Sequence, residues 1–140
     1  MEDHTMTQAC YSSVLSPYII VKNVNTAANF YKNAFQFEVK ELAPGENNEI
    51  IHAELTYKDQ LIMLGKEGGW GGTSKSPISS GVESPMSLYA YTDDVDVFYK
   101  HAIANQAESV TPPDDMFWGD RMCSLKDIDG YVWCFAARKK

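Results

Sequence analysis

A chain of 140 residues with 44% apolar content suits one compact domain that needs neither a metal nor a disulfide in order to fold. The formal net charge of -7, with its only basic cluster at Arg138-Lys139-Lys140, argues against nucleic acid or an anionic membrane as the main partner. Cys10, Cys123 and Cys134 show no zinc spacing and no apolar run reaches ~18 residues, so a reduced, cytoplasmic protein that crosses no membrane is expected. Residues 1–13 read as an acidic lead-in without an apolar signal core, with His4 at the surface. Leu15 to Lys22 reads as a strand. Asn23 to Thr26 then offers capping oxygens. Ala27, Phe30, Tyr31, Ala34 and Phe35 follow at the spacing of one helix face. Phe37 to Leu42 alternates as a strand, Ala43 to Asn48 is turn chemistry, and Ile50 to Tyr57 and Leu61 to Leu64 are strands.

Residues 65–85 break this pattern with Gly, Ser and Pro. They form a connector, read either as a linker or as a flap in which Trp70 is the bulky lid residue. Met86 to Thr92 is again a strand, and Asp93 or Asp94 caps a helix with Val95, Phe98, Tyr99, Ala102 and Ile103 on its apolar face. Glu108 to Thr111 is a short strand stopped by Pro112-Pro113. Arg121 to Lys126 and Tyr131 to Ala136 are strands joined by the turn Asp127-Ile128-Asp129-Gly130.

The second half repeats the first at a displacement of 71 positions: Ser16 meets Ser87, Asn23-Val24 meets Asp94-Val95, and Met63 meets Cys134. A competing displacement of 68, suggested by Phe-Tyr-Lys at 30–32 and 98–100, would put strand residues on the wrong face. At 71, one sheet face carries Ile19, Val21, Ile62, Leu64, Leu88, Ala90, Trp133 and Phe135 and belongs under the helices. The other carries Ser16, Tyr18, Ile20, Leu61, Met63, Ser87, Tyr89, Tyr91, Val132 and Cys134. It has no charge and a mixture of phenols, hydroxyls and sulfur, which suits a small-molecule cavity.

The two βαβββ units, Phe30-Tyr31 on the first helix, and Phe117-Trp118-Gly119-Asp120-Arg121 followed by Asp127-Ile128-Asp129-Gly130-Tyr131-Val132-Trp133 make the chain resemble the vicinal oxygen chelate superfamily. This is the glyoxalase, bleomycin-resistance and dioxygenase group, and the bleomycin-resistance and PhnB-like branches are the most similar. The resemblance covers roughly residues 14 to 137. It implies an α+β fold in which tandem modules, 14–64 and 86–140 across the 65–85 connector, form a cupped eight-stranded mixed sheet with helices on its outer face. It also implies a homodimer. The family's metal enzymes place His, Glu or Gln at four positions that fall here on Ser16, Met63, Ser87 and Cys134. Those side chains suit no catalytic divalent ion, so no cofactor and no catalytic residue are expected. His52 and Glu54 can share a strand face, but a metal role for that pair is the minor reading.

The leading expectation is therefore a metal-free protein binding an aromatic or cationic small molecule. The expected ligand-binding residues are Ser16, Tyr18, His52, Met63, Ser87, Tyr89, Tyr91, Phe117, Trp118, Arg121 and Cys134, with Trp70 as the lid. Two enzyme readings stay open beside it. One is a metal-dependent glyoxalase- or dioxygenase-like enzyme. The other is a cofactor-free lyase or isomerase using Tyr89, Tyr91 or His52 as acid or base.

Overall fold

The computed structural model describes residues 13–139. The lead-in up to residue 12, with Cys10 and His4, lies outside the described residues. The first module runs β1 (Tyr18–Val21), α1 (Val24–Ala34), β2 (Glu38–Pro44), β3 (Ile50–Tyr57) and β4 (Gln60–Lys66). A short helix α2 (Pro77–Ser80) follows in the connector. The second module runs β5 (Ser87–Tyr91), α3 (Val95–Ala104), β6 (Glu108–Asp115), β7 (Asp120–Lys126) and β8 (Val132–Arg138).

The caps fix the repeat at 71. Asn23 caps α1 by accepting from the Thr26 N–H, and Asp94 caps α3 by accepting from the Val97 N–H. Each module makes one four-stranded sheet, in the orders β1-β4-β3-β2 and β5-β8-β7-β6. In both, the first strand pairs in parallel with the last and the remaining pairs are antiparallel. The eight mixed strands are those expected, but within one chain they hydrogen-bond as two sheets.

Both sheets turn their apolar faces to one shared core. Ile19, Val21, Leu55, Ile62 and Leu64 come from the first sheet and Cys123, Leu125, Trp133 and Phe135 from the second. Phe35 at the end of α1 packs against Phe98 of α3 and Phe135 of β8, with ring centroids 6.0 and 4.9 Å apart. Leu88 and Ala90 are only partly buried, because β5 is the end strand of its sheet. The opposite face of each sheet therefore points away from this core.

A buried polar node ties the modules together. Asp127 accepts from Tyr31 Oη at 2.5 Å and Trp133 Nε1 at 3.0 Å, and from the backbone N–H groups of Asp129 and Tyr131. Burial pushes the Asp127 carboxyl above its ordinary range and raises Tyr31 as well. The same turn reaches further. Asp129 Oδ1 accepts from the Lys22 N–H at 2.9 Å, and its carbonyl accepts from the Ile78 N–H of α2 at 3.0 Å. The latter bond pins the connector to the second module, where composition alone suggested a free linker or flap.

Most strand bounds shift by a few residues from the sequence reading, and two of these shifts matter here. β1 begins at Tyr18, which leaves Ser16 outside the strand. β6 runs through Pro112-Pro113 to Asp115, with register shifts between Ser109 and Thr111 and between Thr111 and Asp114. It pairs only with β7 and sits at the end of its sheet, where a missing N–H breaks no second ladder.

Candidate functional site

The open face of the second module carries an aromatic cluster. Tyr89 and Tyr91 stand two residues apart on β5 and so share a face, with rings 5.7 Å apart edge to face. Both hydroxyls donate to Asp120 Oδ2, at 2.7 and 2.9 Å. Trp118 donates its indole N–H to Tyr89 Oη at 3.2 Å. Asp120 is itself buried, while Tyr89, Tyr91 and Trp118 remain 43%, 40% and 50% exposed. The loop bends sharply at Gly119, whose φ of +98° favours glycine, and this sets Trp118 beside the sheet ahead of Asp120 on β7.

The hydrogen bonds explain the charge states. The phenol of Tyr89, helped by that of Tyr91, holds the Asp120 carboxyl below its usual range. Burial and the bond to Asp120 push Tyr89 up to about 12, and the bond to Asp120 raises Tyr91. At neutral pH the face therefore presents two protonated phenols around one ionised carboxylate. Arg138, at the end of β8, places its guanidinium 4.7 Å from the centre of the Tyr91 ring.

The first module repeats this theme with different residues. Tyr18 Oη lies 3.4 Å from His52 Nδ1, and His52 Nε2 lies 3.4 Å from Glu54 Oε2. His52 and Glu54 share the open face because they stand two apart on β3. Glu54 Oε1 is buried without a hydrogen-bond partner among the described residues. Tyr18 can lie along the sheet because a Cβ at Gly65 would come within 2.6 Å of its ring.

The remaining expected site residues fall as follows. Met63 sits opposite Tyr18, and Cys134 opposite Tyr89, each on the open face of its own sheet. Cys134 is buried, with its thiol 3.5 Å from Ser124 Oγ. Ser87 is exposed at the start of β5 and Ser16 is partly buried ahead of β1. Within one chain Ser16 and Met63 thus belong to the first module and Ser87 and Cys134 to the second, where the sequence reading gathered all four in one pocket. Phe117 is 97% exposed, with its ring 5.0 Å from that of Trp118. Trp70 is exposed in a turn of the connector, with φ at +58°.

Arg121 faces α3 and not the Tyr89–Tyr91 cluster. It pairs bidentately with Asp96 of α3, at 2.9 Å for both contacts, and with Asp115 at 3.0 Å. These ion pairs lower both aspartates and raise the guanidinium further. Asp120 is the member of this cluster that sequence reasoning missed. It lies inside the Trp-Gly-Asp-Arg string, but its partners Tyr89 and Tyr91 come from strand β5.

The donor chemistry does not fit a catalytic metal. Two hydroxyls, a thioether and a buried thiol occupy the four positions, and the described residues hold no group of three or more His, Cys, Asp or Glu able to hold an ion. A groove of about 670 Å³ lies elsewhere, between α1, the end of α3 and the β7–β8 turn. It is lined by exposed amides such as Asn29 and Asn33, and its one aromatic, Phe30, is committed to the core.

Among solved structures, the fold matches TioX from Micromonospora sp. ML1 with a TM-score of 0.74 at 22% identity, covering 91% of this chain and 99% of that one. It also matches TnmS3, an antibiotic binding protein from Streptomyces sp. CB03234, with a TM-score of 0.69 at 21% identity, covering 91% and 97%. These likenesses show the fold. An uncharacterized protein of Mycobacterium tuberculosis is 32% identical over 121 residues, or 85% of this chain and 71% of that protein. A sequence profile of the Glyoxalase/Bleomycin resistance protein/Dioxygenase superfamily matches residues 3–135, and the chain belongs to that superfamily.

Proposed function

We propose that this chain is a binding protein that takes an aromatic or cationic small molecule on its open sheet faces without a metal. The observation that carries this reading is the exposed Tyr89–Tyr91–Trp118 cluster organised by buried Asp120. Rigid aromatic rings offer large contact area at low entropy cost. A bound ring stacked on them would gain ~0.5–1.5 kcal/mol per contact beyond burial. Ser87 and Cys134 complete this face, Tyr18, His52, Met63 and Ser16 form the other, and Phe117 and Trp70 are its outlying aromatics. Trp70 is assigned the lid. The antibiotic-binding role of the structural neighbour TnmS3 agrees with this reading.

A second copy of the chain would close these faces. Both β1 and β5 lie at the ends of their sheets, and an apolar groove of about 390 Å³ beside β5 is lined by Leu61, Leu88, Tyr89 and Tyr91. A partner strand laid there would turn each open face into one wall of a cup. We infer a homodimer working in the cytoplasm. No described helix is long and apolar enough to cross a membrane.

One observation favours a second reading, cofactor-free acid–base catalysis. The Tyr18–His52–Glu54 chain joins an exposed phenol to a carboxylate through an imidazole. Tyr89 and Tyr91 serve this reading poorly, since burial with the bond to Asp120 raises Tyr89, that bond raises Tyr91, and both protons are already donated to the carboxylate.

A thermal-shift screen of aromatic and cationic compounds on chelator-treated protein tests the proposal. Binding at a hundred times Kd adds about 2.7 kcal/mol, which corresponds to a rise in Tm of several degrees. Stabilisation without metal supports it. Stabilisation only with a divalent ion, or by no compound, refutes it. Turnover that survives chelation and is lost in His52→Gln would move the assignment to the second reading.

A further inference from the structure

The second open face already holds a cation of its own. Arg138 stands 4.7 Å from the Tyr91 ring centre, in a cluster whose only buried charge is the Asp120 carboxylate. Two features suit that arrangement to positive charge. Each phenol donates to an anion, which enriches the electron density of its ring and strengthens its attraction for a cation. Asp120 also supplies a fixed negative charge at the centre of the cluster, with both phenols already committed to it. Tyr89 Oη is used on both sides, since it donates to Asp120 and accepts from Trp118. The ring faces of Tyr89, Tyr91 and Trp118 are thus oriented by hydrogen bonds at their polar ends, while their apolar surfaces stay partly exposed.

We propose that Tyr89, Tyr91 and Trp118, with Asp120 as counter-ion, form a receptor for the positively charged end of an organic cation, and that Arg138 is its internal competitor. The proposal rests on the binding function given above and names the ligand group that this face selects. A quaternary ammonium fits best. It is bulky, weakly hydrated and unable to satisfy a carboxylate by direct hydrogen bonding, so ring faces backed by a buried anion are what it needs. Arg138 lies on the exposed end of β8 and can swing away, leaving the Tyr91 face to the ligand.

The test compares matched probes on the chelator-treated full chain. Choline and its neutral carbon isostere 3,3-dimethylbutan-1-ol differ only in charge. (4-Hydroxyphenyl)trimethylammonium and 4-tert-butylphenol add an aromatic pair that likewise differs only in charge. Binding is followed by calorimetry and by tryptophan emission, with Trp118→Phe identifying the signal. The cation of each pair is expected to bind roughly tenfold more tightly than its neutral partner. Arg138→Gln, at an exposed position, is expected to tighten the cations about threefold and the neutral compounds by clearly less, since only the cations also escape its charge. Asp120→Asn is expected to abolish the preference for charge. Equal affinity for cation and isostere, or no tightening in Arg138→Gln, overturns the proposal while a bound neutral aromatic leaves the broader binding function standing. If none of the four probes binds, this receptor is overturned. The broader function is overturned with it only if the compound screen also finds nothing.

Discussion

Tyr18 and Tyr89 occupy the same place in the two halves of the molecule. They pair in parallel register with Met63 and Cys134, which are themselves repeat equivalents. Each phenol is linked to a carboxylate on its own sheet, Tyr18 through His52 to Glu54 and Tyr89 directly to Asp120. The two modules thus keep one plan, a first-strand tyrosine coupled to an acid, where metal-using relatives would need imidazole or carboxylate ligands at neighbouring positions.

Asp120→Asn should make this coupling measurable. With the anion replaced by a neutral amide oxygen, Tyr91 and Tyr89 keep at most a weaker acceptor and should ionise at lower pH than in the parent chain. Tyr89 should fall the less completely, since burial also raises it. Carbon-13 NMR of ring-labelled tyrosine across alkaline pH checks this. Unchanged titration of both rings would show that Asp120 does not organise the face.

The inter-module node at Asp127 should dominate stability. Asp127→Ala strands the Tyr31 hydroxyl, the Trp133 indole N–H and two backbone donors in the interior. The expected loss is ~3 kcal/mol or more, against ~1–2 kcal/mol for Tyr31→Phe, which removes one donor only. Urea denaturation of both variants provides the comparison. A loss under ~1 kcal/mol for Asp127→Ala would mean the node is open to water.

Asp129 should give an unusual pH dependence. Burial pushes its carboxyl up from the ordinary 3.8 to about 6. A folded pKa above the unfolded one means the folded state binds the proton more tightly. The stability this group contributes is then fully present below about pH 4 and is lost as pH rises through about 6. Other carboxyls, such as Asp96 and Asp115, are lowered and act in the opposite sense. The informative quantity is therefore the difference between the parent and Asp129→Asn, whose amide oxygen can still accept from Lys22. That difference should change between pH 4 and 6 and be flat outside that window.

A homodimer predicts a mass by static light scattering of twice the 15.7 kDa chain. Leu88→Lys, in the groove beside β5 assigned to the partner, should shift the population toward the single-chain mass. A clean monomer at high protein concentration would remove the dimer from this account.

Much of the fold is legible in the sequence because a repeat of one supersecondary unit reports itself twice. Asn23 and Asp94 as caps, and Ile62, Leu64, Trp133 and Phe135 as core, all follow from the displacement of 71. The candidate site is legible only in part, since its partners are distant in sequence. The binding of Asp120 to Tyr89 and of Asp127 to Tyr31 depends on strand order and module packing. Arg121 illustrates a finer limit. The register pairing of Asp120 with Arg138 fixes Arg121 on the helix side, one residue along and facing the opposite way. Pro112-Pro113 misled for another reason, since proline stops an inner strand but not one at the end of a sheet.

The most direct test of the central claim is amide-resolved NMR with the compound that stabilises the protein most in the screen. Perturbed residues should cluster on the open faces, at 87–91, 118–124 and 132–138 or at the Tyr18, His52 and Met63 face. Perturbations confined to the helix-side groove around Asn29, Asn33 and Gln106 would contradict it.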